Sequence, residues 1–154
     1  MAKAKATPKL RLEWRKASEL QDNPHNWRKH PASQTRGLKA VLAKVGWAGA
    51  VLYNERTGHL IDGHLRKAVS GDQEVPVLVG SWPEEQEKVI LATLDPIAAM
   101  AEADKGILKA ILDATGPQGD EIDRLLASVA KENQIVLLAQ GASADAPMYG
   151  PPME

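Results

Sequence analysis

Residues 59–68 read His-Leu-Ile-Asp-Gly-His-Leu-Arg-Lys-Ala. An apolar strand end meets Asp62–Gly63 and passes at once into a helix whose first turn carries His64 and Arg66. A chain that goes from strand to helix in two residues needs a backbone conformation that a side chain tolerates poorly, and glycine supplies it. At such a junction the first helical N–H groups have no intrahelical partner, and the positive end of the helix dipole faces the turn. The junction therefore draws an anion, and Arg66 adds a planar fork of donors that suits phosphate or carboxylate. The plainer reading of the same letters is a tight turn with Gly63 at positive φ and Asp62 as its cap.

The chain has 154 residues, room for one domain or a domain with an appendage. It contains no cysteine, which excludes a disulfide framework, cysteine–zinc sites and thiol catalysis. It contains no phenylalanine, so Leu, Val, Ile and Ala must fill the core, with four tryptophans. No apolar run approaches a membrane span, and residues 1–8 lack the apolar segment of a secretory signal. The expectation is a cytoplasmic protein with no membrane partner. Charge is uneven along the chain. Residues 1–36 hold nine Lys/Arg against three Asp/Glu, and the remainder holds ten against seventeen. A basic leader of this kind is either a solvated arm or a weak attractor of DNA.

The pattern along the chain predicts a disordered leader over 1–8 and a half-buried strand at Leu10–Trp14, with Leu10, Leu12 and Trp14 on its covered side. A polar loop follows, Asn23-Pro-His-Asn-Trp-Arg28 to Pro31. Ser33 is placed to cap a helix running to Val45, with Gly46 stopping it. A hairpin of Ala50–Tyr53 and His59–Ile61 leads into Asp62–Gly63, and a short helix spans His64–Ser70. Val75–Val79 reads as a strand, at its beginning or an edge because of Pro76. Ser81 is placed to cap a helix to Leu94, and Asp95–Pro96 to start another. Asp104 and Asp120 are placed to cap two further helices, and Ile135–Leu138 is a last strand or a docking segment before a mobile tail.

The loop Asn23-Pro24-His25-Asn26-Trp27-Arg28, an amphipathic helix, the hairpin, the Gly63-His64-Leu65-Arg66 turn and the strand after it occur in an order that resembles the N-terminal domain of the ParB/sulfiredoxin superfamily. In ParB proteins a loop of Asn-Pro-x-Gln-x-Arg type and a Gly-Glu-Arg-Arg turn bind a nucleotide together. The resemblance covers residues 9–104 and implies an α+β fold, a small mixed sheet flanked by helices; the residues beyond it read as a helical extension over 105–131 and an apolar segment and mobile tail over 132–154. It implies that Gly63, His64 and Arg66 lie at the phosphates, with Asn26 and Arg28 reaching the same ligand from the first loop. The implied ligand is a nucleoside triphosphate, CTP or ATP, with Mg²⁺ held by Asp62 and Asp95.

The third ParB motif, Glu-Asn-x-x-Arg, is missing: over 92–100 only Asp95 can serve as a metal ligand, and there is no arginine. No helix-turn-helix is evident after residue 104. Sulfiredoxin activity is excluded, because its reactive cysteine sits in this turn. The turn is also similar to that of the superfamily's free-serine kinases, which use a separate acidic base; Glu13, Glu19 and Asp22 are available for such a role. The candidate catalytic residues are Asp62, His64 and Asp95. His25, His30, His59 and His64 have no metal-ligand spacing. Trp27 is the tryptophan placed for ligand or nucleic-acid contact, while Trp47 and Trp82 suit the edge of the core. The functional expectation is a nucleotide- or DNA-binding protein of DNA metabolism, in a phage or mobile element. The alternatives are a phosphotransferase or nuclease using the same turn, and an interaction module with a lapsed pocket. The C-terminal helices are the expected surface for a homodimer or a partner protein.

Overall fold

In a computed structural model of the chain the described residues are 9–137; the leader 1–8, expected to be disordered, Leu138 at the end of the expected strand or docking segment, and the expected mobile tail lie outside them. The chain divides into two compact units, Met1–Met100 and Ala101–Glu154.

The first unit carries strand β1 (Arg11–Lys16), a 3₁₀ turn at Ala17–Glu19, helix α1 (Ala32–Val45), strands β2 (Val51–Asn54) and β3 (His59–Asp62), helix α2 (His64–Ser70), strand β4 (Glu74–Gly80) and helix α3 (Glu84–Ala99). Its four strands form one mixed sheet in the order β1-β4-β2-β3, with β2 and β4 parallel and the other pairs antiparallel. This is the expected α+β architecture. A parallel pair needs a crossover, and here β3, the Gly63 turn and α2 provide it. The crossover sets the Asp62–Gly63 turn at the end of β3. Ala17, Leu20, Val51, Leu60, Val75, Val77 and Val79 form the buried cluster, with Trp47 and Tyr53 packed against it.

Residues directly opposite in a ladder share a face. Glu13 faces Val77 and Arg15 faces Val75, whereas Leu12 faces Leu78 and Trp14 faces Pro76. The covered side of β1 is thus the side of Glu13 and Arg15, with the Arg15 guanidinium 4.9 Å from the Tyr53 ring centroid. Leu12 and Trp14 are 60% and 58% exposed, the reverse of the sequence expectation. The cause is register. The valines of β4 line the core, and edge strand β1 aligns to them.

Pro76 lies in an interior strand, not at an edge. It is nonetheless tolerated, because β2 joins β4 only from Val77, so at Pro76 the strand still has β1 as its one neighbour. Helix α3 is continuous through Pro96, where two helices were expected. Pro96 removes one N–H but falls in the helix's last turn, where few later bonds depend on it. Neither Ser33 nor Ser81 caps a helix. Pro31 and Pro83 hold the N-cap positions, and their carbonyls accept from Gln34 and Thr35, and from Gln86 and Glu87.

The second unit consists of helices α4 (Lys105–Thr115) and α5 (Asp120–Glu132). Asp104 caps α4 as expected, accepting from the Ile107 N–H at 3.0 Å. Asp120 does not cap α5. Gly119 holds that position, and Asp123 reaches back to the Gln118 N–H at 2.8 Å. Leu112, Ile122 and Ala130 are buried, whereas Ile107 and Ile111 leave an exposed stripe on α4. Residues 135–137 form neither strand nor helix. Among the described residues no helix is long and apolar enough to cross a membrane.

Candidate functional site

The site grows from the end of β3. Gly63 has φ 94°, and an added Cβ would lie 2.5 Å from Cγ1 of Val51. The position therefore needs glycine twice over, for its conformation and for its closeness to the core. With the turn fixed in this way, Asp62 projects at the strand end and α2 begins at once, so that Arg66 lies one turn beyond Asp62.

Two arginines converge on Asp62. Arg28 Nη2 donates to Oδ1 at 2.8 Å from the loop after the 3₁₀ turn, and Arg66 Nη2 approaches Oδ2 at 3.4 Å from α2. Arg28 also donates through Nε to Oδ2 of Asp95 on α3, at 2.7 Å. The Arg66 guanidinium lies 5.9 Å from the Trp47 ring centroid, which helps direct it. These side chains are all half-buried, so the charges are neither lost in bulk water nor sealed from a ligand.

The loop that carries Arg28 is fixed by His64. The imidazole is buried, and its Nε2 accepts the backbone N–H of Asn23 at 3.0 Å. Accepting at Nε2 assigns the proton of the neutral ring to Nδ1. Burial holds this imidazole below the ordinary histidine range. Asn23 is itself buried and accepts the His25 N–H through Oδ1 at 2.9 Å. Its Nδ2 and the Nδ1 of His64 are buried donors with no partner among the described residues. Asn26 accepts the Arg28 N–H at 3.4 Å, a local turn that orients the start of the arginine. Trp27 is 57% exposed, and its indole N–H donates to the Leu91 carbonyl of α3 at 3.0 Å.

The structure thus gathers Arg28, Asp62, Gly63, His64, Arg66 and Asp95 at one place. Asn26 acts on the loop backbone, and His64 is tied to Asn23. Asn23 was missed as a site residue. Its partner is forty-one positions away, and no local pattern announces such a bond. Two of the other carboxylates, Asp22 and Glu13, are engaged elsewhere. Asp22 pairs with Lys67 at 2.9 Å. Glu13 is held below the usual carboxylate range by hydrogen bonds from Arg11 and Arg15.

A phosphate-bearing ligand fits this donor set: two guanidiniums meet at the turn, and the same loop and helix hold two buried donors without partners among the described residues. A metal ion does not fit it unaided. Asp62 and Asp95 both grip Arg28, a cation already in place, and among the described residues no three His, Asp or Glu side chains gather as a ligand set.

No family model matches the chain, and no curated protein does. Among solved structures it is similar to the C-terminally truncated chromosome-partitioning protein ParB from Caulobacter crescentus complexed with CTP-γ-S, at 17% identity and a TM-score of 0.49 over 80% of this chain. It is also similar to a Pnob8-like ParB-N domain, at 20% identity and a TM-score of 0.48 over 82% of this chain. The chain spans 64% and 51% of the lengths of those two.

Proposed function

We propose that this protein is a ParB-like nucleotide-binding protein acting in DNA metabolism, and that Arg28 and Arg66 hold the phosphates of its ligand beside the Asp62–Gly63–His64 turn. One observation carries this reading: two arginines from separate elements meet on the single carboxylate of Asp62, next to a glycine that keeps the backbone close. Asp62 holds both forks before the ligand arrives, which lowers the ordering cost of binding. Binding is favoured over phosphotransfer or nuclease chemistry, because Asp62, Asp95 and Asp22 are each paired with a cation, which makes a carboxylate a weaker base. Asp62 and Asp95 grip Arg28, and Asp22 grips Lys67. A general base works best with a pKa near the operating pH, and a neighbouring guanidinium or ammonium moves a carboxylate away from it. The basic leader adds weak DNA affinity that falls with salt.

The test is calorimetric titration of the full chain with CTP, ATP, ADP and GTP, each with and without Mg²⁺, on wild type and Arg66→Ala. Saturable binding that the variant loses supports the pocket. Flat titrations with all four nucleotides overturn it. A DNA shift assay at two salt concentrations checks the leader, whose retardation must weaken at the higher one.

A further inference from the structure

Helix α3 is held firmly at one end and lightly at the other. Near its start Glu87 is 1% exposed, and its Oε1 accepts from Asn54 Nδ2 at 3.1 Å and from Thr57 Oγ1 at 2.5 Å. Asn54 also binds both the N–H and the carbonyl of Trp82, just before the helix. A charged group buried with partners of this kind does not leave easily. Beyond Leu91 the situation reverses. From 92 to 100 every residue is exposed except Asp95. Pro96 follows directly and cannot donate to the carbonyl four residues back. Asp95 ties this stretch to the site through its ion pair with Nε of Arg28.

A guanidinium edge receives a carboxylate and a phosphate in the same way, through parallel N–H donors in one plane. Of the two carboxylates on Arg28, Asp62 belongs to β3 and also engages Arg66, so it is part of the frame. Asp95 belongs to the lightly held end of α3, and the side chains of its pair with Arg28 are 28% and 36% exposed. Breaking a pair of that exposure is inexpensive.

We propose that Asp95 is an internal competitor for the anionic ligand: it occupies Arg28 when no ligand is present, and a phosphate that binds Arg28 displaces it and frees the last turns of α3. This rests on the phosphate-binding reading above and adds regulation to it. The exposed Leu94, Ile97 and Met100 belong to the stretch so released.

The experiment uses the full chain as wild type, Asp95→Asn and Arg66→Ala, titrated with CTP and separately with inorganic pyrophosphate, with and without Mg²⁺. Amide hydrogen exchange is followed over residues 92–100. The asparagine has the shape of aspartate without its charge, so Asp95→Asn is expected to bind both probes about two- to fivefold tighter. In the wild type either probe must speed exchange over 92–100. In Asp95→Asn exchange there must be fast from the start and indifferent to the probe. Equal or weaker binding by Asp95→Asn overturns the proposal, as does weakening confined to the Mg²⁺ arms, which would make Asp95 a metal ligand. Exchange over 92–100 that is unchanged or slowed by the probe also overturns it. If wild type binds and Arg66→Ala does not, such results sink the competitor alone. If neither wild type nor Asp95→Asn binds either probe, the phosphate-binding reading falls and takes the competitor with it.

Discussion

The backbone N–H of Asn23 donates to Nε2 of His64 across 3.0 Å, joining the loop that carries Arg28 to the helix that carries Arg66. The bond requires a neutral imidazole, because a protonated Nε2 is a donor and repels the N–H it now accepts. Desolvation holds the His64 pKa below its ordinary 6.5; Asp22 and Asp62, which face it, pull the other way, and Arg28 and Lys67 reinforce the lowering. Below that pH the unfolded chain takes up a proton that the folded chain resists. The stability that His64 contributes is therefore whole above pH 6.5 and declines as pH falls toward the folded value. Urea unfolding at a series of pH values must show this decline in the wild type and a shallower one in His64→Gln, whose amide oxygen can still accept the Asn23 N–H. Equal slopes in the two proteins would remove His64 from the account.

Arg28 and Arg66 share Asp62, so their losses do not add simply. Arg28→Ala and Arg66→Ala are each expected to weaken nucleotide binding about 10- to 100-fold, the range for a charged hydrogen bond. The double variant should weaken it by less than the product, because residues in one ion-pair network couple. Arg66→Lys keeps the charge and loses the fork and the stacking over Trp47, so it should recover only part of the affinity. Calorimetry on the wild type and these four variants checks all three statements.

Gly63→Ala meets two penalties at once. Its φ of 94° lies where an L side chain is strained, and the new methyl would press on Val51, whose side chain is fully buried. Strain and overpacking together should cost about 2–5 kcal/mol in unfolding free energy. Gly71→Ala, also at positive φ but with nothing near its Cβ, carries the first penalty alone and should cost less. Denaturant unfolding of the pair separates the two contributions.

The turn at Asp62–Gly63 was legible because its letters act locally: glycine, a charged pair one helical turn apart and an apolar strand before them. Arg28 was legible by its place in a patterned loop. Asn23 and Glu87 were not. Each is an ordinary polar letter whose role comes from a partner thirty or more positions away. The sharing of Arg28 between Asp62 and Asp95 was hidden for the same reason. Burial on β1 was misread because alternation identifies two faces and is silent about which one the neighbouring strand covers. Helix starts were misread wherever a proline took the N-cap, since Ser33 and Ser81 are good caps that stand two residues late and two early.

Glu87 gives a further test, independent of any ligand. Its carboxylate satisfies Asn54 Nδ2 and Thr57 Oγ1, and Oε2 lies 3.8 Å from Nδ1 of His59. Glu87→Ala removes the acceptor and leaves buried donors unmatched, which should cost about 3 kcal/mol. Glu87→Gln keeps an oxygen for one donor and should cost about half as much. Thr57→Val joined to Glu87→Ala removes a stranded hydroxyl, so the double variant should be less destabilised than the sum of the singles.

The register of β1 inverts what the letters alone suggest. Leu12 is apolar yet 60% exposed, and the core side of its strand presents Glu13 and Arg15 instead. Val77, opposite Glu13, has no exposed surface. Leu12→Thr keeps a strand-favouring residue and removes little buried area, so it should change stability by under about 1 kcal/mol. Val77→Ala empties part of the core cluster and should cost about 2 kcal/mol. If Leu12→Thr proves the more costly, β1 is paired one residue out of register and its leucines face inward. Chemical unfolding of the two variants therefore tests the register of the edge strand without a ligand.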